Sequence, residues 1–83
     1  MAMKRPSLRR IVVDPKVMLG KPVIRDTRIT VELILEKLAA DMSIDDILAD
    51  YPRLTRADVL TAIEYARHAV AADEVIPHTA SRG

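Results

Sequence analysis

Hydrophobic positions divide the chain into an extended first third and a helical remainder. The run LRRIVVDP, residues 8–15, sets Ile11, Val12 and Val13 in a row before the turn signal Asp14-Pro15. Three β-branched residues ahead of a turn predict a strand. PVIRDTRI, residues 22–29, is a second extended piece; Pro22 sits at its start, where a missing N–H is tolerated. DPKVMLGK, with Pro15 and Gly20, joins the two as a loose hairpin. A two-stranded hairpin is marginal alone, so it must pack elsewhere or pair with its copy in a second chain.

From residue 30 the pattern becomes helical. Thr30, Ser43 and Thr55 stand at N-cap positions, where a hydroxyl accepts a hydrogen bond from an otherwise unpaired first-turn N–H. Apolar pairs flank each cap at hydrophobic-staple spacing: Ile29 with Ile34, Met42 with Ile47, and Leu54 with Val59. Asp46 and Asp58 lie three residues after their caps, where a carboxylate answers the cap and favours the helix dipole.

The predicted helices are 31–40, with Ile34, Leu35 and Leu38 inward; 44–50, with Ile47, Leu48 and Tyr51 inward; and 56–72, with Val59, Leu60, Ile63, Ala66 and Val70 on one stripe. Pro52 ends the second, because a residue before proline is pushed out of the helical region. The fold class is therefore mainly α, an N-terminal β-hairpin followed by three helices. Residues 1–72 form one domain, with a basic β arm over 1–30 and three helices over 31–72. Residues 73–83, DEVIPHTASRG with Asp73, lack any period and are expected to be a mobile tail.

Only Pro52, Arg53 and Leu54 separate Tyr51 from Thr55. A short connection between a short and a longer helix fits both helix-turn-helix geometry and generic αα packing. As a DNA reader the third helix is weak. Its expected outer face carries Arg56, Thr61, Arg67 and His68, but also Asp58 and Glu64, and carboxylates repel phosphate. Most electrostatic affinity for DNA would then come from the arm and hairpin.

Charge supports that division. Residues 1–30 hold eight basic side chains against two acidic, a net +6; residues 31–83 hold five against ten, a net −5. Such asymmetry points to a polyanion or an acidic partner at the basic end, or to neutralisation of one end by the other within a dimer. Candidate DNA contacts are Arg9, Arg10, Lys21, Arg25, Arg28, Arg53, Arg56 and Arg67. Lys21 and Arg28 have a second reading, as charges that keep an edge strand from aggregating.

Eighty-three residues without cysteine make a single small domain lacking disulfides or thiolate metal sites. A chain this short buries only about 60–65% of its unfolded surface. Oligomerisation is a common remedy, so at least a dimer is expected. Candidate contacts for a partner or second copy are Ile11, Val12, Val13, Val23, Ile24, Val75, Ile76 and Arg82. No apolar run reaches the roughly 20 residues of a membrane span, and MAMKRPSLRR lacks the apolar core of an export signal. A cytoplasmic location is expected.

Catalysis has little support. No nucleophile–base–orienter set can be assembled around His68 or His78, and two glycines cannot make a phosphate loop. Asp45, Asp46 and Asp50 read as helix-favouring carboxylates rather than metal ligands. Asp73, Glu74 and His78 lack metal spacing. No cofactor or metal is expected.

The run GKPVIRDTRITVELILEKLAADMSIDDILADYPRLTRADVLTAIEYA resembles domain-of-unknown-function family 433. The resemblance rests on Gly20-Lys-Pro-Val-Ile-Arg25, Thr27-Arg28-Ile29, Val31, Ser43 with Asp46-Ile47-Leu48, Tyr51-Pro52, Leu54-Thr55, and Ala62 with Tyr65-Ala66. It covers residues 10–69. It implies a homeodomain-like trihelical unit with an N-terminal β element, encoded beside a PIN-like ribonuclease-type toxin. That would make the chain the antitoxin of a type II toxin–antitoxin pair, binding its toxin and its own operator DNA. In one form of this reading the tail inserts into the toxin and Arg82 reaches an acidic metal site. A stand-alone helix-turn-helix regulator and a protein-interaction module without DNA binding are the alternatives. Asp26 and Asp41 stand where the family typically has Gly, at turns that want a positive φ, a region Asp enters tolerably. Asp26 also sets a negative charge between Arg25 and Arg28, which favours a structural arginine–carboxylate contact there.

Overall fold

The hairpin is shorter than the β-branched runs that announce it. In the computed structural model, which describes residues 7–73, β1 is Ile11–Val12 and β2 is Val23–Ile24. They pair antiparallel, Ile11 opposite Ile24 and Val12 opposite Val23. Leu8–Arg10, expected to be extended, instead curls into a 3-10 turn, in which the Arg10 N–H donates to the Ser7 carbonyl at 2.9 Å. Val13 lies past the ladder and is exposed. Between the strands the Lys16 N–H donates to the Asp14 carboxylate, and Met18, Leu19 and Gly20 follow with φ of 50°, 60° and 82°. The turn there leaves Leu19 92% exposed.

β2 is covered on both sides. β1 pairs with one edge. On the other, the Ile24 N–H donates to the Ile29 carbonyl and the Val31 N–H to the Pro22 carbonyl, each at 2.9 Å. The hairpin is thus completed by its own chain. Val23 and Ile24, expected to meet a partner, are 2% and 0% exposed and belong to this chain's interior. Their β-branched character reads equally as a docking edge or as core, and only the following turn decides between the two.

The helices α1 (Val31–Ala39), α2 (Ile44–Asp50) and α3 (Arg56–Asp73) begin at the expected caps. Thr30 Oγ1 accepts from the Leu33 N–H at 2.9 Å. Ser43 and Asp46 exchange side-chain and backbone hydrogen bonds, as do Thr55 and Asp58. These are two complete capping boxes. α1 ends in a Schellman motif. Asp41, at φ 72°, donates its N–H to the Leu38 carbonyl, and the Met42 N–H reaches the Lys37 carbonyl. Asp26 takes φ 66°. Both aspartates therefore occupy the left-handed conformation expected of them.

The interior gathers Ile24 from β2, Val31 and Ile34 from α1, Ile47 from α2, Leu54 from the connection, and Val59 and Ala62 from α3. Burying each large aliphatic side chain contributes roughly 1.5–3 kcal/mol. Ile29 and Met42, the outer members of two staples, pack against this cluster.

α3 departs from its expected stripe. Its buried side carries Asp58, Val59, Thr61 and Ala62, with Tyr65 packed against the core. Ile63 and Val70, expected inward, are 39% and 70% exposed. Asp58 and Thr61, expected outward, are 3% and 1% exposed. Periodicity counted apolar letters. The helix keeps Val59 inside but also buries two polar residues whose hydrogen bonds are satisfied, and so turns Ile63 and Val70 outward.

Candidate functional site

The turn after β2 and the connection before α3 meet around a groove of about 620 Å³. Val12, Val17 and Val23 form its apolar lining, and Arg25, Asp26, Thr27, Arg28 and Arg53 its polar lining. The turn is rigid for local reasons. Thr27 Oγ1 donates to the Ile24 carbonyl at 2.7 Å and accepts from the Ile29 N–H at 2.9 Å. The positive φ of Asp26 reverses the chain, so that residues 25–28 border the hairpin.

Backbone carbonyls, not carboxylates, hold two of the arginines. Arg25 donates from Nε and Nη2 to the Arg9 carbonyl, at 3.2 and 2.8 Å. Arg53 donates from Nη2 to the Asp26 carbonyl at 2.9 Å, tying the α2–α3 connection to the turn. A neutral acceptor orients a guanidinium without cancelling its charge, and most of its five N–H donors remain available. Arg28 is exposed and enters none of the four ion pairs among the described residues. The expected arginine–carboxylate contact at Asp26 is replaced by this carbonyl contact, because the turn points the carbonyl of residue 26 at Arg53. Three guanidinium groups and one carboxylate leave the groove positive. It can orient an anion bidentately beside an apolar surface.

The other basic candidates are dispersed. Arg10 is committed to structure: its Nε donates to Asp58 Oδ1 at 3.1 Å, against a carboxylate 4% exposed. The Ser7 N–H donates to Thr61 Oγ1 at 3.0 Å, so the arm is latched onto the first two turns of α3. Lys21 pairs with Glu32 at 2.9 Å across exposed surface. Such a pair is worth little, but it spends the charge. Arg67 donates to both oxygens of Glu64, and His68 Nε2 lies 2.9 Å from the same carboxylate. The Arg67 hydrogen bonds hold the Glu64 carboxyl at about 2, with His68 reinforcing them and desolvation opposing, while Glu64 raises the guanidinium. Arg9 and Arg56 are exposed and lie outside the groove. Val75, Ile76 and Arg82 lie outside the described residues.

Sequence reasoning missed Asp58 as the anchor of the arm. The Thr55-x-x-Asp58 spacing announces a cap, but Arg10 is 48 residues away and no local signal connects them. Val17, a loop residue, and Thr27, named only within the family motif, were not among the candidate site residues, yet both line the groove.

The family model described as "Protein of unknown function (DUF433)" matches residues 11–66. The chain belongs to this family. Among curated proteins and among solved structures, none matches the chain. All the groove residues fall inside the family span, whereas the last turns of α3 run beyond it. Among the described residues, no helix is long and apolar enough to cross a membrane.

Proposed function

We propose that the chain is the antitoxin of a type II toxin–antitoxin pair, which neutralises a co-encoded PIN-like ribonuclease toxin and binds its own operator DNA. The toxin half of this reading rests on the family resemblance of residues 10–69. The observation that carries the DNA half is the groove in which Arg25, Arg28 and Arg53 converge, two of them held by backbone carbonyls that leave their charge intact. Phosphate contacts of this kind supply affinity and register. α3 adds less, since Arg67 is paired with Glu64 and Arg56 is its one arginine outside the ion pairs among the described residues.

One observation favours a second reading, an interaction module without DNA binding: the outward side of α3 is largely apolar, with Ile63 and Val70 uncovered.

Growth after expression of the adjacent reading frame, alone and together with this chain, tests the toxin half. Arrest relieved by co-expression supports it; arrest that persists removes it. Mobility shift of the upstream DNA across a salt series tests the other half. Binding that weakens steeply with salt, with a slope reduced by about one for each groove arginine replaced, is the expected result. A stable complex with the toxin and no DNA shift would leave the interaction module.

A further inference from the structure

We infer that the outward side of α3 is a self-docking surface, on which a second copy of this chain packs its own α3 antiparallel. This goes beyond the antitoxin reading and does not depend on it.

Arg56, Leu60, Ile63, Arg67 and Val70 follow one another at intervals of four, three, four and three residues. That is the spacing of a helix–helix seam. It lies opposite the buried side formed by Asp58, Thr61, Ala62 and Tyr65; Leu60 is half-buried, and among the described residues Ile63, Arg67 and Val70 are left exposed. Ile63, Ala66, Arg67, Val70 and Ala71 border a shallow apolar depression of about 500 Å³. From Arg67 to Ala72 every residue is exposed, yet the helix continues to Asp73. Helical turns at an unpacked end are marginal, and packing of a face is what usually stabilises them.

The charge pattern selects a second copy as the occupant. With a two-fold axis at the level of Tyr65, Leu60 comes level with Val70 of the other helix, and Ile63 with Arg67. At roughly 1.5 Å per residue this seam spans about 15 Å. Arg67 lays its aliphatic stem beside the opposing Ile63 and reaches the neighbouring Glu64. Within one chain Arg67 uses Nε and Nη2 on its own Glu64, leaving donors for the Glu64 across the seam. An acidic partner would meet Glu64, and a basic one would meet Arg67. A copy of this helix offers both charges in the complementary order, as an isologous interface requires.

Sedimentation of the full chain over a concentration series tests the inference. The wild type should populate a dimer, and Val70→Glu should raise its dissociation constant by more than about tenfold, because a carboxylate would enter the apolar seam. Val70 is exposed within one chain, so an unchanged thermal melt of the diluted variant separates lost association from lost folding. Glu64→Arg and Arg67→Glu should each weaken the dimer, and the double exchange should restore it. The chain lacks cysteine, so cross-linking reads the direction without background. Leu60→Cys mixed with Val70→Cys should form a disulfide on oxidation, and Val70→Cys alone should not. A monomeric wild type, a dimer indifferent to Val70→Glu, a double exchange no better than either single, or self-cross-linking of Val70→Cys would each overturn it.

Discussion

The first two turns of α3 and its last two are one continuous helix in opposite surroundings. In the first, Asp58, Val59, Thr61 and Ala62 are buried. The arm lies against them, with Arg10 on Asp58 and the Ser7 N–H on Thr61. In the last, Val70 and its neighbours face solvent, and the charged groups pair along the surface. The buried half includes two polar side chains, Asp58 and Thr61, and the exposed half includes the apolar Val70. Burial follows from what the rest of the chain brings to a helix face. A carboxylate can be interior when an arginine and a backbone N–H meet it, and a valine remains outside when nothing arrives to cover it.

The widest contrast is between two valines. Val59→Ala removes methyl groups from a fully buried site and should cost about 2–3 kcal/mol in urea unfolding. In the dilute monomer, Val70→Ala should change stability by less than about 0.5 kcal/mol, and its better helix propensity favours a slight gain. Equal effects would mean that the two halves do not differ in packing.

Next come the two acids. Asp58→Ala removes the cap acceptor and the Arg10 partner together, and should cost about 2 kcal/mol, less than a fully buried pair because Arg10 is 39% exposed and can rehydrate. Asp58→Asn retains an oxygen for the Thr55 N–H and should recover about half of that loss. Glu64→Gln should leave the melting temperature of the monomer nearly unmoved, because its ion pairs are at the surface.

The smallest effect is one of pH. Glu64 has its carboxyl lowered from 4.5 to about 2, chiefly by the Arg67 hydrogen bonds. Its depressed value means that the contribution to stability is complete above pH 4.5 and is lost as pH falls through about 2. Carboxyl-carbon NMR should place its midpoint near 2 in the native chain, and Arg67→Ala should move that midpoint back up. A midpoint unmoved by the substitution would break the pairing assigned to the last turns of α3.

Much of the architecture was legible because its signals are local. A hydroxyl at Thr30, Ser43 or Thr55 answers an N–H three residues on, and the left-handed turns at Asp26 and Asp41 are set by neighbours within a helical turn. The groove was legible in part: Arg25, Arg28 and Arg53 were named for their charge, but nothing in their spacing joined residue 53 to residue 26. Arg10, Lys21 and Arg67 were named on the same ground, and each has an acidic partner that changes its role.

The amino-acid sequence by itself determined where the three helices start and stop, because capping and turn energies are settled within a few residues. Tertiary structure alone decided which side of α3 is inside, which strand residues are core, and which arginines keep their charge. Those outcomes depend on groups 16 to 48 residues apart arriving within about 3 Å of one another. A one-dimensional pattern does not carry that information.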